Sequence, residues 1–240
     1  MTNGMNWNFQ NNTQNFLRQT LITAVRLPPL HAGNAIFDLA HHNVGGQNVV
    51  TLDAYNLLGG GGVGWEAPLM AYWVPQGGSC VVPAAPGGRR LVFTPDFSGC
   101  AILVDQLNAG NYRVYHVQGG AGHLNNEYLN PIHNHGLGLA GAMTFDDYGT
   151  AAQPRGFAFL KFEAGRWWIY QQRQTGVGLG WVGGQLVPIG PQSPRGGAKV
   201  PVANLTQEVP RLNATQNGID LPITRNIRAQ TRMMPNDEIW

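Results

Sequence analysis

The chain has 240 residues, with 15 basic and 13 acidic residues against 33 glycines, and its net charge at neutral pH is +2. A charged content of 12% is about half the roughly 25% of an ordinary soluble domain, which excludes coiled coils and helical bundles, and the glycines lack the period of collagen. The hydrophobic content of 43% is sufficient for a core, and the small net charge without a dense basic block predicts no nucleic-acid partner.

Residues 1–15 are predicted to form a flexible polar N-terminal arm, and residues 16–240 a single catalytic domain. The arm is rich in asparagine and has few aliphatic residues, so it offers little to a hydrophobic core. It also lacks the basic head and apolar segment of a secretory signal, and no apolar run in the chain is long enough to span a membrane. Residues 16–25 fit either a helix or a strand.

From Phe16 onward, short apolar segments alternate with clusters of Gly, Pro and Asn, which predicts strands joined by tight turns. One hairpin is predicted over residues 100–117 with its turn at residues 108–111, and another over residues 157–173 with its turn at Ala164 and Gly165. The few helix candidates lie near Ala40 and over residues 51–58. The pattern therefore favours a strand-rich fold, mainly β or mixed α and β.

The stretch FTPDFSGC, which ends at Cys100, has the features that a cysteine hydrolase requires. Such an enzyme needs a thiolate at a sharp turn, a base within hydrogen-bond reach, and backbone amides that stabilise an oxyanion. Gly99 permits a tight turn directly before Cys100, and the amides of Gly99 and Cys100 are candidate oxyanion donors. Ser98 completes this turn.

The predicted hairpin brings His116 back towards Cys100. Both residues are equally distant from position 108, so a turn centred there makes them cross-strand neighbours. An imidazole at this position can hold the thiolate as an ion pair and later protonate a departing amine. The Thr94 hydroxyl or a nearby backbone carbonyl is a candidate for orienting the imidazole.

Thr94, the Ser98-Gly99-Cys100 turn and His116 together resemble the catalytic arrangement of the cytotoxic necrotizing factor deamidases and the Burkholderia lethal factor. The chemoreceptor glutamine deamidases have a similar order of cysteine, histidine and threonine. The family turn usually reads Leu-Ser-Gly-Cys, whereas this chain has Phe97 at the first position. The similarity covers about 25 of the 240 residues. It implies an α+β, strand-rich fold: a sandwich of mixed β-sheets flanked by a few helices and long loops.

The resemblance also implies an activity, in which Cys100 attacks a protein glutamine, His116 activates the cysteine, and Thr94 orients the histidine. No metal and no cofactor are expected. The implied partner is a host protein that carries the target glutamine, a GTPase or a translation-initiation helicase in the known family members. The chain would then be a monomeric bacterial toxin or effector that leaves its cell by a non-classical route, or is injected, and acts in the target-cell cytosol.

Several alternatives remain open at this stage. Cys100 and His116 would also suit a cysteine peptidase or a transglutaminase, and an inert Cys100 would suit a β-sandwich binding module. His133 and His135 could ligate zinc or iron together with His123 or Asp146, although a polar loop is the simpler interpretation. Cys80 could form a disulfide with Cys100, although reduced thiols are favoured. The glycine run at residues 59–64 lacks the Gly-Lys-Ser/Thr ending of a nucleotide loop and is predicted to be a flexible loop.

Overall fold

The structure, a computed structural model, describes residues 4–44, 46–54, 67–176, 179–182, 185–188, 193–207 and 238–240. The helices in these ranges are α1 (Gly4–Asn11), α2 (Thr13–Gln19), α3 (Ala121–Glu127) and α4 (Phe145–Tyr148). The strands are β1 (Ile22–Thr23), β2 (Gly33–Val44), β3 (Gln47–Ala54), β4 (Leu69–Trp73), β5 (Ser79–Pro83), β6 (Leu91–Phe93), β7 (Ala101–Asn108), β8 (Asn111–Val117), β9 (Gly138–Met143), β10 (Gly156–Glu163), β11 (Arg166–Gln174), β12 (Leu179–Val182), β13 (Gln185–Pro188), β14 (Pro194–Pro201) and β15 (Glu238–Ile239).

These strands form two main sheets. A nine-stranded mixed sheet has the order β1-β3-β2-β4-β6-β10-β11-β14-β15, in which β1 with β3 and β4 with β6 are the parallel pairs. An antiparallel sheet of four strands has the order β5-β8-β7-β9, and β12 with β13 forms a separate two-stranded ribbon. Strand β6 lies inside the large sheet and β7 inside the small one, so the segment between them crosses from one sheet to the other.

The two sheets pack face to face, and helices cover their outer faces. The core between the sheets contains apolar side chains from both, among them Val92, Ile102, Val114, Leu160 and Ile169. A second core lies between the other face of the large sheet and the N-terminal helices, and a third lies beneath α3 on the outer face of the small sheet. The predicted class, a strand-rich α+β sandwich of mixed sheets with a few flanking helices, is confirmed.

The predicted N-terminal arm differs from the structure, because residues 4–11 and 13–15 belong to helices that pack on the large sheet. Phe9 is fully buried, and its ring contacts those of Phe16, Phe93 and Phe159. Asn6 is also buried, and its side-chain oxygen accepts a hydrogen bond from the Leu39 amide at 3.0 Å. The polar composition was misleading, because a few apolar residues on one helical face are enough to fix these helices.

Other sequence predictions have mixed outcomes. The two predicted hairpins are confirmed as β7 with β8 and β10 with β11. The helix candidates near Ala40 and at residues 51–54 are wrong, because both stretches belong to the antiparallel pair of β2 and β3. Residues 16–25 contain the end of α2 and then β1. Residues 55–58 and the glycine run at residues 59–64 lie outside the described ranges.

None of the helices that the structure describes has the length and hydrophobicity needed to cross a bilayer.

Candidate active site

The segment that carries the candidate nucleophile is the sheet-to-sheet crossing at residues 94–100. It begins directly after β6, and a backbone bridge between Phe97 and Gly156 fixes its middle to the start of β10. At its end, Gly99 has φ +114°, a conformation that residues with a side chain rarely adopt. A Cβ atom at this position would meet nothing within 4 Å, so there is space for a side chain. Glycine is required here by the backbone conformation alone.

Tyr148 holds this turn through its hydroxyl group. The Gly99 amide donates a hydrogen bond to the Tyr148 oxygen at 2.8 Å, and the hydroxyl donates to the Cys100 carbonyl at 2.9 Å. The prediction that the Gly99 amide is free for an oxyanion is therefore wrong, because this amide already donates a hydrogen bond to the Tyr148 oxygen. The Cys100 amide remains as the predicted donor. Ser98 is exposed on the outside of the turn.

His116 is completely buried between the two sheets, where Thr94 and Phe97 contact it. The Thr94 hydroxyl and the imidazole Nδ1 are 2.5 Å apart, in agreement with the orienting contact that the sequence suggested. The Phe97 ring stacks on the imidazole with centroids 4.5 Å apart and an angle of 10° between the planes. This stack gives the Phe97 ring a defined contact with the candidate base.

Burial determines the charge of His116. Removal from water lowers its pKa from 6.5 to about 3, since the protonated form loses its hydration there. The imidazole is therefore neutral near pH 7. Its Nε2 atom is buried and has no hydrogen-bond partner among the described residues. One ring nitrogen of His116 is thus fixed by Thr94 while the other is available.

Cys100 and His116 are brought to the same face of the small sheet but are not directly paired. The hairpin register pairs His116 with Ile102 and Val117 with Ala101, so Cys100 lies two residues before the partner of His116. The hairpin turn is not centred on position 108 as predicted. It falls between Asn108 and Asn111, and a bulge interrupts the strand register between Gln106 and Asn108. Side chains two residues apart on a strand share a face, so Cys100 and His116 lie diagonally across from each other on one face of the sheet.

The Cys100 thiol is buried and protonated at rest. Burial raises its pKa above the ordinary 9.0, backbone hydrogen bonds from Ser98 and Gly119 lower it, and the negative charge of Glu127 raises it further. The predicted thiolate-imidazolium pair is therefore not the resting state, because burial favours the neutral form of both groups. Cys80 is likewise a buried free thiol, so no disulfide joins the two cysteines.

The loop that follows His116 packs against the Cys100 turn. A Cβ atom on Gly119 would lie 2.8 Å from the Gly99 carbonyl oxygen, so only glycine permits this approach. The adjacent Gln118 amide donates to the Glu127 carboxylate at 2.7 Å, and the other oxygen of that carboxylate bonds His123 Nδ1 at 2.7 Å. Sequence reasoning missed Glu127 as well as Tyr148, and no local motif indicates either residue.

The histidines proposed as alternative metal ligands have other partners. His123 bonds Glu127, and His135 Nδ1 lies 2.6 Å from the buried Asp105 carboxylate, which also accepts the Tyr128 hydroxyl. His133 packs edge-on against a tyrosine ring. In the part of the chain that the structure describes, no group of three His, Cys, Asp or Glu side chains is arranged to hold a metal ion, and this includes Asp146.

A cavity of about 540 Å³ borders the first part of the crossing segment, before Cys100 in the chain. Pro95 and Asp96 line it, as does a proline-rich stretch at residues 27–30. Asp96 forms an ion pair with Arg155 at 2.9 Å. Neither Cys100 nor His116 lines this cavity.

No protein-family model matches the chain, and no curated protein matches it either.

Proposed function

We propose that the chain is a cysteine-dependent protein glutamine deamidase that acts as a bacterial toxin or effector on a host protein. The contact between the Thr94 hydroxyl and His116 Nδ1, on the sheet face that Cys100 shares, is the observation that carries the proposal. An imidazole that is oriented through one nitrogen, leaves the other unbonded and shares a sheet face with a thiol has the parts from which a nucleophile can be activated. The resemblance of the FTPDFSGC segment to the necrotizing factor deamidases selects glutamine deamidation among the reactions of such a pair.

In the proposed reaction, His116 Nε2 accepts the Cys100 proton as the sulfur attacks the glutamine carboxamide carbon. The carbonyl oxygen becomes an oxyanion that the Cys100 amide can stabilise. His116 then returns the proton to the nitrogen, and ammonia leaves. Water, deprotonated by the same imidazole, hydrolyses the thioester, which releases glutamate and restores the thiol. The reaction as written requires no metal and no cofactor.

The neutral state of both groups affects the first step. Because burial disfavours the thiolate and the imidazolium, proton transfer from Cys100 is expected to accompany carbon-sulfur bond formation. A bound substrate that excludes water leaves this transfer as the only route for the proton. The pair would then react slowly with reagents until a substrate is docked.

The substrate and the place of action follow from the resemblance alone. We infer a folded host protein with an exposed target glutamine, a GTPase or a translation-initiation helicase by analogy, and action in the target-cell cytosol after injection or non-classical export. Conversion of a neutral glutamine to a carboxylate would alter the charge and hydrogen bonding of the target at one position.

The direct test is mass spectrometry of host proteins incubated with the purified chain. The wild type should raise the mass of a target by about one dalton at a glutamine and release ammonia, as amide-to-acid exchange at a thiol requires. Cys100→Ser and His116→Ala should lose this activity while keeping the fold. Cys80→Ser, which changes the other buried thiol, is the matched control and should stay active. Undiminished activity of Cys100→Ser contradicts the proposal.

One observation favours a non-catalytic binding module, namely that Cys100 is only 6% exposed and has a raised pKa. A buried thiol of this kind is ordinarily inert. The same mass spectra separate the alternatives: a cysteine peptidase would cleave the target, a transglutaminase would add the mass of a supplied amine, and a binding module would leave every mass unchanged.

A further inference from the structure

The cavity at the start of the crossing segment lies where two parallel strands leave the large sheet. Strands β4 and β6 end on a pair of residues, Trp73 and Phe93, and the Val74 amide still donates to the Phe93 carbonyl at 2.9 Å. Pro75 and Pro95 follow, and neither can donate the backbone hydrogen bond that would extend the pair. The chain then continues into β5 and β7 of the small sheet, where β8 separates these two strands. The strands thus diverge at the two prolines, and both prolines line the cavity.

The size and lining of this cavity fit a small molecule. Its volume of about 540 Å³ lies within the range of about 300–1,000 Å³ that is usual for ligand sites. Most of the residues that line it are apolar, and Trp73 is the largest of them. The polar ones are Gln76, Asp96 and Arg155. An apolar cavity with a few polar groups is the usual form of a small-molecule site, and no step of the proposed deamidation uses it.

The charged residues in the cavity wall neutralise each other. Asp96 Oδ2 lies 2.9 Å from Arg155 Nη2, and the two side chains are only 13% and 8% exposed. The same carboxylate accepts hydrogen bonds from the Thr23 hydroxyl and, at 2.7 Å, from the Ala24 amide. No further charged residue of the described ranges lines the cavity, so its wall has no net charge. A charged ligand would lose hydration on entry and find no unpaired counter-charge.

We propose that this cavity binds a small neutral molecule that has an apolar body and a carboxamide group. The apolar body contacts Trp73 and the two prolines. A carboxylate can accept about four hydrogen bonds, and the three that Asp96 accepts leave it able to bind the carboxamide nitrogen. Gln76 is exposed, and its side-chain amide can donate to the carboxamide oxygen. Because an amide has its donors and its acceptor on different atoms, one carboxamide can bind both residues.

Three probes of nearly the same shape test this preference on the full chain. Benzamide is neutral, benzoate is an anion and benzamidine is a cation near pH 7. The dissociation constant of each is measured by ligand-observed NMR titration. Benzamide should bind saturably, and the two ions should bind at least about fivefold more weakly, because the burial of an uncompensated charge costs more than that of a neutral amide.

Variants of Gln76 test whether the probes bind in this cavity. Gln76 is exposed, so its replacement should leave the fold intact. Gln76→Glu should raise the affinity for benzamidine relative to benzoate by roughly threefold to tenfold, and Gln76→Lys should lower it by a similar factor, as expected for one added charge near the ligand. Gln19→Glu makes the same change at an exposed glutamine that does not line the cavity, and should leave this ratio unchanged.

The absence of saturable benzamide binding overturns the proposal. Equal affinities for the three probes overturn the preference for a neutral ligand. A ratio that changes in neither Gln76 variant, or that changes as much in Gln19→Glu, shows that the probes bind elsewhere and also overturns the proposal. None of these measurements requires deamidase activity, so the proposed function and the proposed binding site can fail independently.

Discussion

At the residue scale, one hydroxyl group determines how the candidate base is held. Thr94 Oγ1 lies 2.5 Å from His116 Nδ1, and both groups are buried. If this hydrogen bond is removed, water cannot replace it for the group that remains. The partner of Nδ1 also decides whether Nε2 can accept a proton, because the neutral ring carries only one. Thr94 is thus a positioning residue, which acts through His116.

Replacing Thr94 separates orientation from packing. Thr94→Val keeps the shape but removes the hydroxyl, so we expect deamidation to fall by about tenfold or more, in the range that general-base catalysis supplies. Thr94→Ser keeps the hydroxyl and should retain most of the activity. The measurement is the initial rate of ammonia release, together with chemical unfolding to show that both variants are folded. Equal loss in both variants would assign Thr94 a packing role only.

The residues of the site differ in how far they could be predicted. Thr94, Gly99, Cys100 and His116 are near one another in sequence, so turn chemistry and hairpin pairing were enough to group them. Tyr148 follows Cys100 by 48 residues and reaches the turn only because α4 packs there. Such long-range contacts leave no local pattern in the sequence, which is why the occupied Gly99 amide was not anticipated.

At the element scale, the N-terminal helices cover one face of the large sheet. The Phe9 ring lies against Phe93 and Phe159 in the interior strands, and Phe93 is the residue immediately before Thr94. Helices α1 and α2 together have few apolar residues, so their stability derives from this packing rather than from helix propensity. Their removal would expose the strand that leads into the site.

We expect Phe9→Ala to lower the free energy of unfolding by about 3–5 kcal/mol, the usual cost of emptying a buried aromatic position. Trp7 on the same helix is 57% exposed, so Trp7→Ala should change the stability by only about 0.5 kcal/mol. Urea unfolding of the two variants checks the difference. Similar small effects in both variants would support a loosely docked arm instead.

Two of the hairpins were predictable, whereas the pair of β2 and β3 and the order of strands in the sheet were not. A hairpin depends on a turn and the alternation beside it, which are local in sequence, so β7 with β8 and β10 with β11 were found. The large sheet places β6 between β4 and β10, and that order depends on how two sheets and two helical layers pack together. Strand β2, which contains Ala40, is long because its two halves pair with different neighbours, residues 33–37 with β4 and residues 37–44 with β3.

At the scale of the whole molecule, the sandwich places an ionisable histidine between its sheets and thereby makes folding depend on pH. The folded pKa of His116 is about 3, whereas an unfolded histidine titrates near 6.5. Below pH 6.5 the unfolded chain therefore binds a proton that the folded chain excludes. The stability associated with the neutral imidazole is complete above 6.5 and is lost progressively as the pH falls towards 3.

The contribution of Glu163 to stability depends on pH in a different range. Burial alone would raise its pKa, but hydrogen bonds from Lys161 and Lys199 prevail and lower it to about 2. Its folded pKa lies below the ordinary 4.5, so its contribution is present above 4.5 and is lost between 4.5 and 2. The two ranges differ near pH 5. There most of the stability that Glu163 contributes is still present, whereas part of the stability associated with the neutral His116 is already lost.

We therefore expect the wild type to lose about 2 kcal/mol of stability through His116 between about pH 7.5 and about pH 5. His116→Gln cannot take up this proton, so its free energy of unfolding should decline by about 2 kcal/mol less over the same interval. Urea unfolding of both proteins at the two pH values gives the comparison, and the other histidines cancel because both proteins contain them. Parallel pH profiles would mean that water reaches the imidazole in the folded protein, and the neutral resting pair on which the proposed proton transfer depends would then be wrong.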